Sequence, residues 1–242
     1  MDYAITTAGS ATISELLANL GVDAGGLKAV WVSLPAATLA KPDQFGTTVE
    51  VAEGTVLRTF DEKSCMADAL LTIVNELRMA TECTCTFGHE GGYQIATIMT
   101  DVCSKKGKPG DLALMRDLAP VMEVQALCDE GKAIGRAVSQ ALDLFGDEIE
   151  AHITKKVCPA GACRAFQTYH VLVSRCIGCG KCIEACDDDA IAGKPKFVHV
   201  INQRACTQCD KCRQACPEDA IVTAGAEKPK TPPKPIPCKR KK

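Results

Sequence analysis

Eight of the chain's 16 cysteines stand in two runs with the same spacing, C-x2-C-x2-C-x3-C. Three such thiolates on a tight loop can hold three corners of an iron–sulfur cubane, whereas the fourth, one helical turn later, faces away from it. The sequence therefore predicts two [4Fe–4S] clusters that exchange their fourth ligands. The first cluster is expected on Cys176, Cys179, Cys182 and Cys216, and the second on Cys206, Cys209, Cys212 and Cys186.

Two other uses of cysteine fit this pattern less well. A zinc ribbon needs pairs of cysteines rather than two quartets with crossed fourth members. Disulfides need an oxidising compartment, and nothing in the sequence indicates export. Residues 170–224 resemble the bacterial two-[4Fe–4S] ferredoxin domain, with one departure: Asp187 follows Cys186, whereas Pro217 follows Cys216. This added negative charge is expected to tune the second cluster without preventing its assembly.

The composition excludes some classes of protein. The 242 residues carry 28 Lys and Arg against 30 Asp and Glu, a balance that gives no basic field for nucleic acid. The N-terminus lacks the basic and apolar regions of a signal peptide, and no apolar run approaches the ~20 residues of a membrane span. We therefore expect a cytoplasmic protein, because free thiols and clusters persist in a reducing compartment.

Residues 1–62 are predicted to form a small α+β unit. Apolar residues at helical spacing predict a helix over 12–20, which Gly21 and the pair Gly25–Gly26 end. Strands are predicted at 27–34, 48–51 and 55–59. Nothing in this unit indicates chemistry, so we interpret it as a docking or spacer domain.

Residues 63–153 are predicted to form a four-helix bundle. Apolar residues recur at core spacing within 66–77, 91–102, 114–122 and 134–145, and the connections between these stretches are short. Asp61 or Ser64 is expected to cap the first helix and Asp111 the third. With the strands before it and the ferredoxin-like module after it, the chain is predicted to be an α+β protein.

The last segment, residues 225–242, is rich in proline and lysine. Proline keeps such a segment extended and its charge denies it a core, so a disordered basic tail is predicted. The alternative is a strap across an acidic partner subunit. Cys238, within this tail, is expected to be a free thiol.

Several phrases in the first two thirds of the chain point to one family. Among them are Asp61-Glu-Lys-Ser-Cys65-Met66-Ala-Asp68, Glu82-Cys-Thr-Cys85-Thr-Phe-Gly88-His-Glu90-Gly91 and Ala126-Leu-Cys128. With the ferredoxin module, they resemble the C-terminal part of the NADH-binding flavoprotein subunit of respiratory complex I. The resemblance is greatest to the β subunit of the electron-bifurcating, NAD-dependent [FeFe]-hydrogenases. It implies a β-grasp (SLBB-like) domain, a helical iron–sulfur domain and a two-cluster ferredoxin domain.

The resemblance also implies what this chain does not bind. In that family flavin mononucleotide (FMN) and NADH bind to a large α/β domain that precedes the matched region. The sequence has no glycine-rich phosphate loop between a strand and a helix, and the Gly25–Gly26 pair is too short for one. No FMN or NAD is therefore expected on this chain.

A third iron–sulfur cluster is in doubt. The family holds a [4Fe–4S] cluster in its helical domain with C-x2-C-x2-C and a distant fourth cysteine. Aligning the Glu90–Gly91 pair puts the three near positions at Glu82, Cys85 and Gly88, and Cys128 fits the distant one. Loss of the cluster is one interpretation. The other is a smaller or unusually ligated cluster on Cys83, Cys85 and Cys128.

Cys103 is excluded from that third site on distance. It is expected at the far end of the helix that begins near Gly91. At 1.5 Å per residue it would be ~18 Å away, too far to act as a ligand unless the helix is broken.

A linker, residues 154–169, contains a candidate metal loop. His152, Cys158 and Cys163 lie close together, with Pro159 and Gly161 favouring a turn between the cysteines. Imidazole with thiolates favours tetrahedral zinc. The resembling hydrogenase subunits carry a Cys-Pro-Ala-Gly-x-Cys phrase here in a zinc site, and Cys65 is the candidate fourth ligand by elimination. The alternative is a linker without metal.

Three hypotheses of function follow. The first is an electron-transfer subunit that relays single electrons between a flavoprotein or hydrogenase-like subunit and ferredoxin or another redox partner. The second is a structural adaptor, in which the clusters and zinc are mainly architectural. The third is a redox sensor, for which no recognition segment for nucleic acid or signalling is apparent. No catalytic residues are predicted.

Overall fold

The computed structural model describes residues 1–81, 85–225 and 227–238. They form a mixed helix and sheet structure with two compact units, Met1–Cys163 and Arg164–Lys242. No helix in the described part of the chain is both long and apolar enough to cross a bilayer.

The first unit begins with six short strands and one helix. The strands are β1 (Asp2–Ala4), β2 (Gly9–Thr12), β3 (Leu27–Val32), β4 (Thr38–Ala40), β5 (Thr48–Val51) and β6 (Val56–Asp61), and α1 spans Ile13–Asn19. An antiparallel sheet has the order β1-β6-β3-β4, and β2 pairs separately with β5. A capping box starts α1, because Thr12 and Glu15 each accept the other's backbone N–H. The predicted helix and three strands are present, and β1, β2 and β4 are additional.

The helical part of this unit is organised around its longest helix. The α-helices are α2 (Met66–Ala80), α3 (Gly92–Cys103), α4 (Asp111–Gln125) and α5 (Asp129–Glu150), with π-helical turns at Phe87–Gly91 and Ala151–Lys155. Helix α5 buries one face, from Ala133 to Ile149, and packs mainly against α2 and α4. This face carries the residues that recur at core spacing in the sequence.

Two predicted helix caps are wrong. The N-cap of α2 is Cys65, because Ser64 Oγ instead donates to Asp61 Oδ1 (2.7 Å) in the preceding turn. The N-cap of α4 is Gly110. Asp111 is the first helical residue, and its carboxylate accepts the Lys108 N–H at 2.7 Å. Polar residues in both places serve the turn rather than the helix end.

Polar contacts join the sheet to the helices within this unit. Lys28 Nζ on β3 lies 2.7 Å from Glu148 Oε2 on α5, and both side chains are largely buried. The Leu39 N–H on β4 donates to Gln140 Oε1 at 2.8 Å. The sheet therefore holds α5 in place, including the end of α5 that leads to His152.

The second unit is built from two similar halves. Its strands are β7 (Thr168–Val171), β8 (Ile191–Ala192), β9 (Phe197–Val198), β10 (Val200–Ile201), β11 (Ile221–Ala224) and β12 (Ile236–Pro237), with helices α6 (Lys181–Glu184) and α7 (Lys211–Gln214). Strand β7 pairs with β11, and β8 pairs with β10. Both cysteine loops enter their helix through a residue at positive φ, Gly180 at +87° and Asp210 at +68°. The repeated conformation gives both loops the same turn.

The C-terminal segment is not disordered where it reaches this unit. Strand β12 pairs antiparallel with β9, and the Cys238 N–H donates to the Lys196 carbonyl at 2.9 Å. The prediction of a disordered tail is wrong for this stretch, because β9 offers unpaired backbone groups that an extended segment can satisfy. Ala226 and residues 239–242 lie outside the described part of the chain.

Candidate iron–sulfur and metal centres

The first cavity of the second unit gathers one predicted quartet of cysteines. Cys176, Cys179, Cys182 and Cys216 line a small cavity together with apolar residues such as Val171 and Ile221. Cys216 follows α7, so it reaches this cavity from the other half of the unit.

The second cavity gathers the other quartet. Cys206, Cys209, Cys212 and Cys186 line a small cavity with apolar residues such as Ile191 and Ile201. Cys186 follows α6 and so comes from the first half. Each short helix thus carries a cysteine of one quartet within it and a cysteine of the other just beyond its end.

The electrostatics of both cavities favour a bound cation. Burial, reinforced by the nearby charges of Cys176, Cys179 and Cys216, raises the pKa of Cys182 to about 12. Burial likewise raises the pKa of Cys212 to about 11, and the nearby charges of Cys206 and Cys209 add to this effect. Four thiolates therefore do not share either cavity without positive charge to compensate them. Iron in a [4Fe–4S] cluster supplies that charge, and the donor set fits it.

Polar groups differ between the two cavities. His199 Nδ1 lies 3.0 Å from Cys182 Sγ in the first. Around the second, Asp187 forms an ion pair with Lys211, and Thr207 Oγ1 donates to Asp188 Oδ2 at 2.5 Å. The sequence motifs assigned no role to His199. It lies between β9 and β10 and is 2% exposed.

A third centre lies in the first unit, where four residues from three places in the sequence meet. The ligand atoms of Cys65, His152, Cys158 and Cys163 all lie within 4.8 Å of one another, and all four residues are buried. Cys65 Sγ is 3.3 Å from His152 Nε2, and Cys163 Sγ is 3.4 Å from Cys65 Sγ. Ligands about 2.3 Å from a tetrahedral ion are about 3.7 Å apart, so this spacing suits one small metal ion.

Glu148 organises this four-residue site through both its backbone carbonyl and its side-chain carboxylate. Its carbonyl lies 2.8 Å from His152 Nδ1, so Nδ1–H donates there and Nε2 presents a lone pair to the thiols. Its carboxylate accepts the Met66 N–H at 2.9 Å, next to Cys65. One residue therefore orients the imidazole and the start of α2. The sequence did not reveal this role, because the contact joins residues far apart in the chain.

The thiols of this site also need a cation. Hydrogen bonds from Cys163 and Cys65 hold the pKa of Cys158 far below its usual range. The pKa of Cys65 is raised above its usual range by Cys158, then by Cys163 and burial. Without metal, one thiolate is stabilised at the expense of its neighbours. A divalent ion would stabilise all three thiolates at once.

Cys103 lies beside this site. Helix α3 is unbroken up to Cys103, and the ligand atoms of Cys103, Asp68 and Cys163 lie within 4.8 Å of one another. Cys103 is only partly buried. Its proximity to Cys163 was not anticipated from the sequence.

At the candidate third cluster site, the backbone segments that contain Gly88 and Gly131 are close to each other. A β-carbon on Gly88 would lie 2.7 Å from Cys128 Sγ and 3.0 Å from Cys85 Sγ, so the two sulfurs converge on one point. A β-carbon on Gly131 would lie 2.8 Å from Gly88 Cα. The turn before α3 therefore packs directly on the start of α5, in the space where a cubane of the family type would need a ligand. Cys83 and Glu82 lie outside the described residues.

Cys85 and Cys128 form a close thiol pair. Burial opposes ionisation of Cys85, but hydrogen bonds from the Cys128 side chain and from the backbone of Cys128, Gly88 and Leu127 lower its pKa. Burial and then Cys85 raise the pKa of Cys128 to about 11. The pair is thus arranged as a donor thiol and an acceptor sulfur.

We expect Cys85→Ser and Cys128→Ser to leave the iron content unchanged, because these two cysteines fill only two of the four aligned ligand positions of a family-type cubane. Anaerobically reconstituted protein should keep about eight irons per chain in both variants. The matched control is Cys179→Ser, which should lower the iron content by up to about four. Loss of iron in Cys85→Ser or Cys128→Ser would show that this pair does hold a cluster.

Two family models match separate parts of the chain. Residues 69–152 match the NADH-ubiquinone oxidoreductase-F iron-sulfur binding region, and residues 170–223 match the 4Fe-4S dicluster domain. The chain is therefore an iron–sulfur protein that joins these two domain types. The resemblance drawn from the sequence motifs is confirmed.

Curated relatives agree with this assignment. The chain is 30% identical over 139 residues to HndC, a component of the NADP-reducing hydrogenase of Solidesulfovibrio fructosivorans, covering 57% of this chain and 28% of that protein. It is 31% identical over 104 residues to a component of the NADH-quinone oxidoreductase of Streptomyces coelicolor, covering 43% and 23%. A component of the ion-translocating oxidoreductase complex of Pseudomonas aeruginosa is 32% identical over 99 residues, covering 41% and 48%. The chain thus spans less than half the length of each.

A solved structure supports the fold alone. The crystal structure of an NAD+-reducing [NiFe]-hydrogenase in the H2-reduced state aligns with a TM-score of 0.51 at 20% identity. The alignment covers 60% of this chain and 26% of that one.

Proposed function

We propose that the protein is an iron–sulfur electron-transfer subunit of a multi-subunit oxidoreductase, relaying single electrons through two [4Fe–4S] clusters. The observation that carries this proposal is the pair of interlocked cysteine quartets around two apolar cavities. Each cluster, when bound, supplies reversible one-electron chemistry at a potential set by its surroundings.

The protein residues hold the two clusters close to each other in largely apolar surroundings. Helix α6 carries Cys182 for the first cluster and leads directly to Cys186 for the second, and α7 does the reverse with Cys212 and Cys216. An electron therefore has a short covalent and through-space route between the clusters. Apolar residues such as Val171 line the cavities and limit side reactions with solvent.

Zinc is the metal that the four-residue site suits best. Cys65, Cys158 and Cys163 with His152 form a closed set of three sulfurs and one nitrogen, the donor set of structural zinc. Zinc has no redox chemistry, so its role is to pin residues 154–169 to α2 and to the end of α5. It thereby fixes the linker that leads into the cluster-bearing unit.

The finer architecture follows the family resemblance. Residues 1–62 form an SLBB-like β-grasp domain and residues 63–153 a helical bundle that has lost its own cluster. Residues 170–224 form the two-cluster ferredoxin domain. The partners are a flavoprotein or hydrogenase-like subunit, which carries FMN and NAD in place of this chain, and ferredoxin or another redox protein. The names of the relatives, all parts of oxidoreductases, support this assignment.

The test is anaerobic reconstitution of the full chain with iron, sulfide and zinc. We expect about eight irons and eight sulfides per chain, with dithionite reduction and reoxidation by a ferredoxin. Electron paramagnetic resonance (EPR) of the reduced protein should show two interacting [4Fe–4S] centres. Well under two clusters per chain would contradict the proposal.

A structural adaptor is the second candidate, and one surface favours it. Leu114, Val121 and Val124 on α4 share one face and are 50%, 43% and 73% exposed. Such a face is typical of a docking surface. An adaptor would keep its clusters in one redox state during turnover of the assembled complex, whereas an electron carrier would cycle between two.

A further inference from the structure

The two cluster cavities have different residues at equivalent positions of the repeat. Tyr169 stands seven residues before Cys176, and His199 stands seven residues before Cys206. Each of these residues lines the cavity of the cluster whose first three cysteines lie in the other run. Tyr169 lines the second cavity and His199 lines the first.

The packing of His199 fixes its ring against a cluster ligand. Its Nδ1 is 3.0 Å from Cys182 Sγ, and the residue is 2% exposed. A β-carbon on Gly193 would lie 1.9 Å from His199 Cδ2, so only glycine there leaves room for the ring. Nε2 has no hydrogen-bond partner among the described residues.

The direction of this hydrogen bond follows from the chemistry of the ligand. A thiolate bound to iron has no proton, so it can only accept, and the imidazole must carry its hydrogen on Nδ1. A donated N–H stabilises the cluster more when the cluster gains an electron and becomes more negative.

The second cavity has no matching arrangement at Tyr169. Burial, and then the nearby Asp210 carboxylate, raise the pKa of Tyr169 to about 12, so its hydroxyl faces Asp210 rather than a cluster ligand. Asp188 and Asp210 both line this cavity, whereas Glu218 is the one carboxylate that lines the first among the described residues. Carboxylates disfavour an added electron. Arg213 Nε lies 3.2 Å from Asp210 Oδ1 and offsets part of this charge, so the hydrogen bond from His199 is the main difference between the two cavities.

We infer that His199 holds the first cluster at a higher reduction potential than the second by donating a hydrogen bond to Cys182, so that a single electron rests on the first cluster. This inference rests on the proposed two-cluster function. The second cluster then has the lower reduction potential, and electrons that enter or leave the protein through it are the more strongly reducing ones. His199 is a positioning residue: through its hydrogen bond to Cys182 it favours the added electron on the first cluster.

The experiment is an EPR-monitored redox titration of the full chain with both clusters in place. His199→Phe should make reduction of the first cluster at least tenfold less favourable at a given potential, a shift of at least 59 mV for one electron. His199→Asn, whose amide can replace the Nδ1–H donor, should restore reduction to within about threefold of wild type, or about 28 mV. Tyr169→Phe is the matched control in the other half and should leave the first cluster unchanged.

Three results would overturn the inference. One is an unshifted first cluster in His199→Phe, and another is an equal shift in His199→Asn and His199→Phe. If His199→Phe does not retain both clusters, pulsed EPR on wild type with nitrogen-15 histidine decides the question. The cluster that is reduced at the higher potential should then show a nitrogen-15 coupling in wild type that is lost in His199→Asn. Absence of this coupling in wild type is the third result. If wild type binds one cluster, the proposed function fails, and the same coupling measurement still tests His199.

Discussion

Replacing His152 with alanine is expected to abolish zinc binding at the proposed four-residue site and to destabilise the first unit. The imidazole supplies one of four donors in a site whose members are all buried. Its loss leaves three thiols that cannot all ionise together, since Cys65 and Cys158 have pKa values displaced in opposite directions. Removing one partner of a buried charged set costs about 3–5 kcal/mol. At about 2–4 °C per kcal/mol for a unit of this size, the melting temperature should fall by roughly 6–20 °C.

The measurements are zinc content by mass spectrometry and thermal unfolding followed by circular dichroism. Cys103→Ser is the matched control, because Cys103 lies next to Cys163 but outside the four-residue site. It should keep one zinc per chain and the wild-type melting temperature. Zinc retained in His152→Ala, or lost equally in Cys103→Ser, would show that the ion is held by a different set of residues.

The cysteine quartets could be predicted from spacing alone because the geometry of a cubane is local. Cys176, Cys179 and Cys182 lie on one loop, so their grouping needs no knowledge of the fold. The crossing of Cys186 and Cys216 follows from one turn of helix after each loop. The structure places the two sets of cysteines around separate cavities, and their binding of one cluster each stays a prediction.

Other parts of the sites depend on contacts between distant residues. Cys65 and His152 are 87 positions apart, and Cys65 could be chosen only by elimination from the sequence. Glu148 orients His152 through its carbonyl, a group that every residue has, and its carboxylate accepts the N–H of Met66, 82 positions away. His199 offered a signal in its repeat position, equivalent to Tyr169, but its contact with Cys182 becomes apparent only when both halves are folded together.

Glycines were also difficult to interpret before the fold was known. Gly88 stands where the family alignment places a cysteine, which by itself shows only that a ligand is missing. Its close approach to Gly131 shows in addition that the two backbone segments pack directly on each other. The tail was mispredicted for a related reason. Composition predicts the conformation of an isolated segment. The pairing of Ile236 and Pro237 with β9 instead depends on a strand edge that another part of the chain forms.

Exchange of the fourth ligands predicts a result that depends on which cluster is present. In a Cys176→Ala/Cys179→Ala background only the second cluster should remain, with about four irons per chain. Adding Cys186→Ala should then lower the iron content towards zero, although Cys186 belongs to the same sequence run as the two cysteines already removed. The physical reason is that Cys186 follows α6 and lines the second cavity.

Adding Cys216→Ala to the same background is the matched control. Cys216 lies in the sequence run of the surviving cluster, but it lines the first cavity, so its loss should leave about four irons in place. Zinc content reports that the first unit is still folded in every variant, because its site lies wholly within that unit. If the two additions gave the reverse pattern, each run would bind its own cluster. The short helices would then no longer join the two clusters, and the proposed electron route through α6 and α7 would be lost.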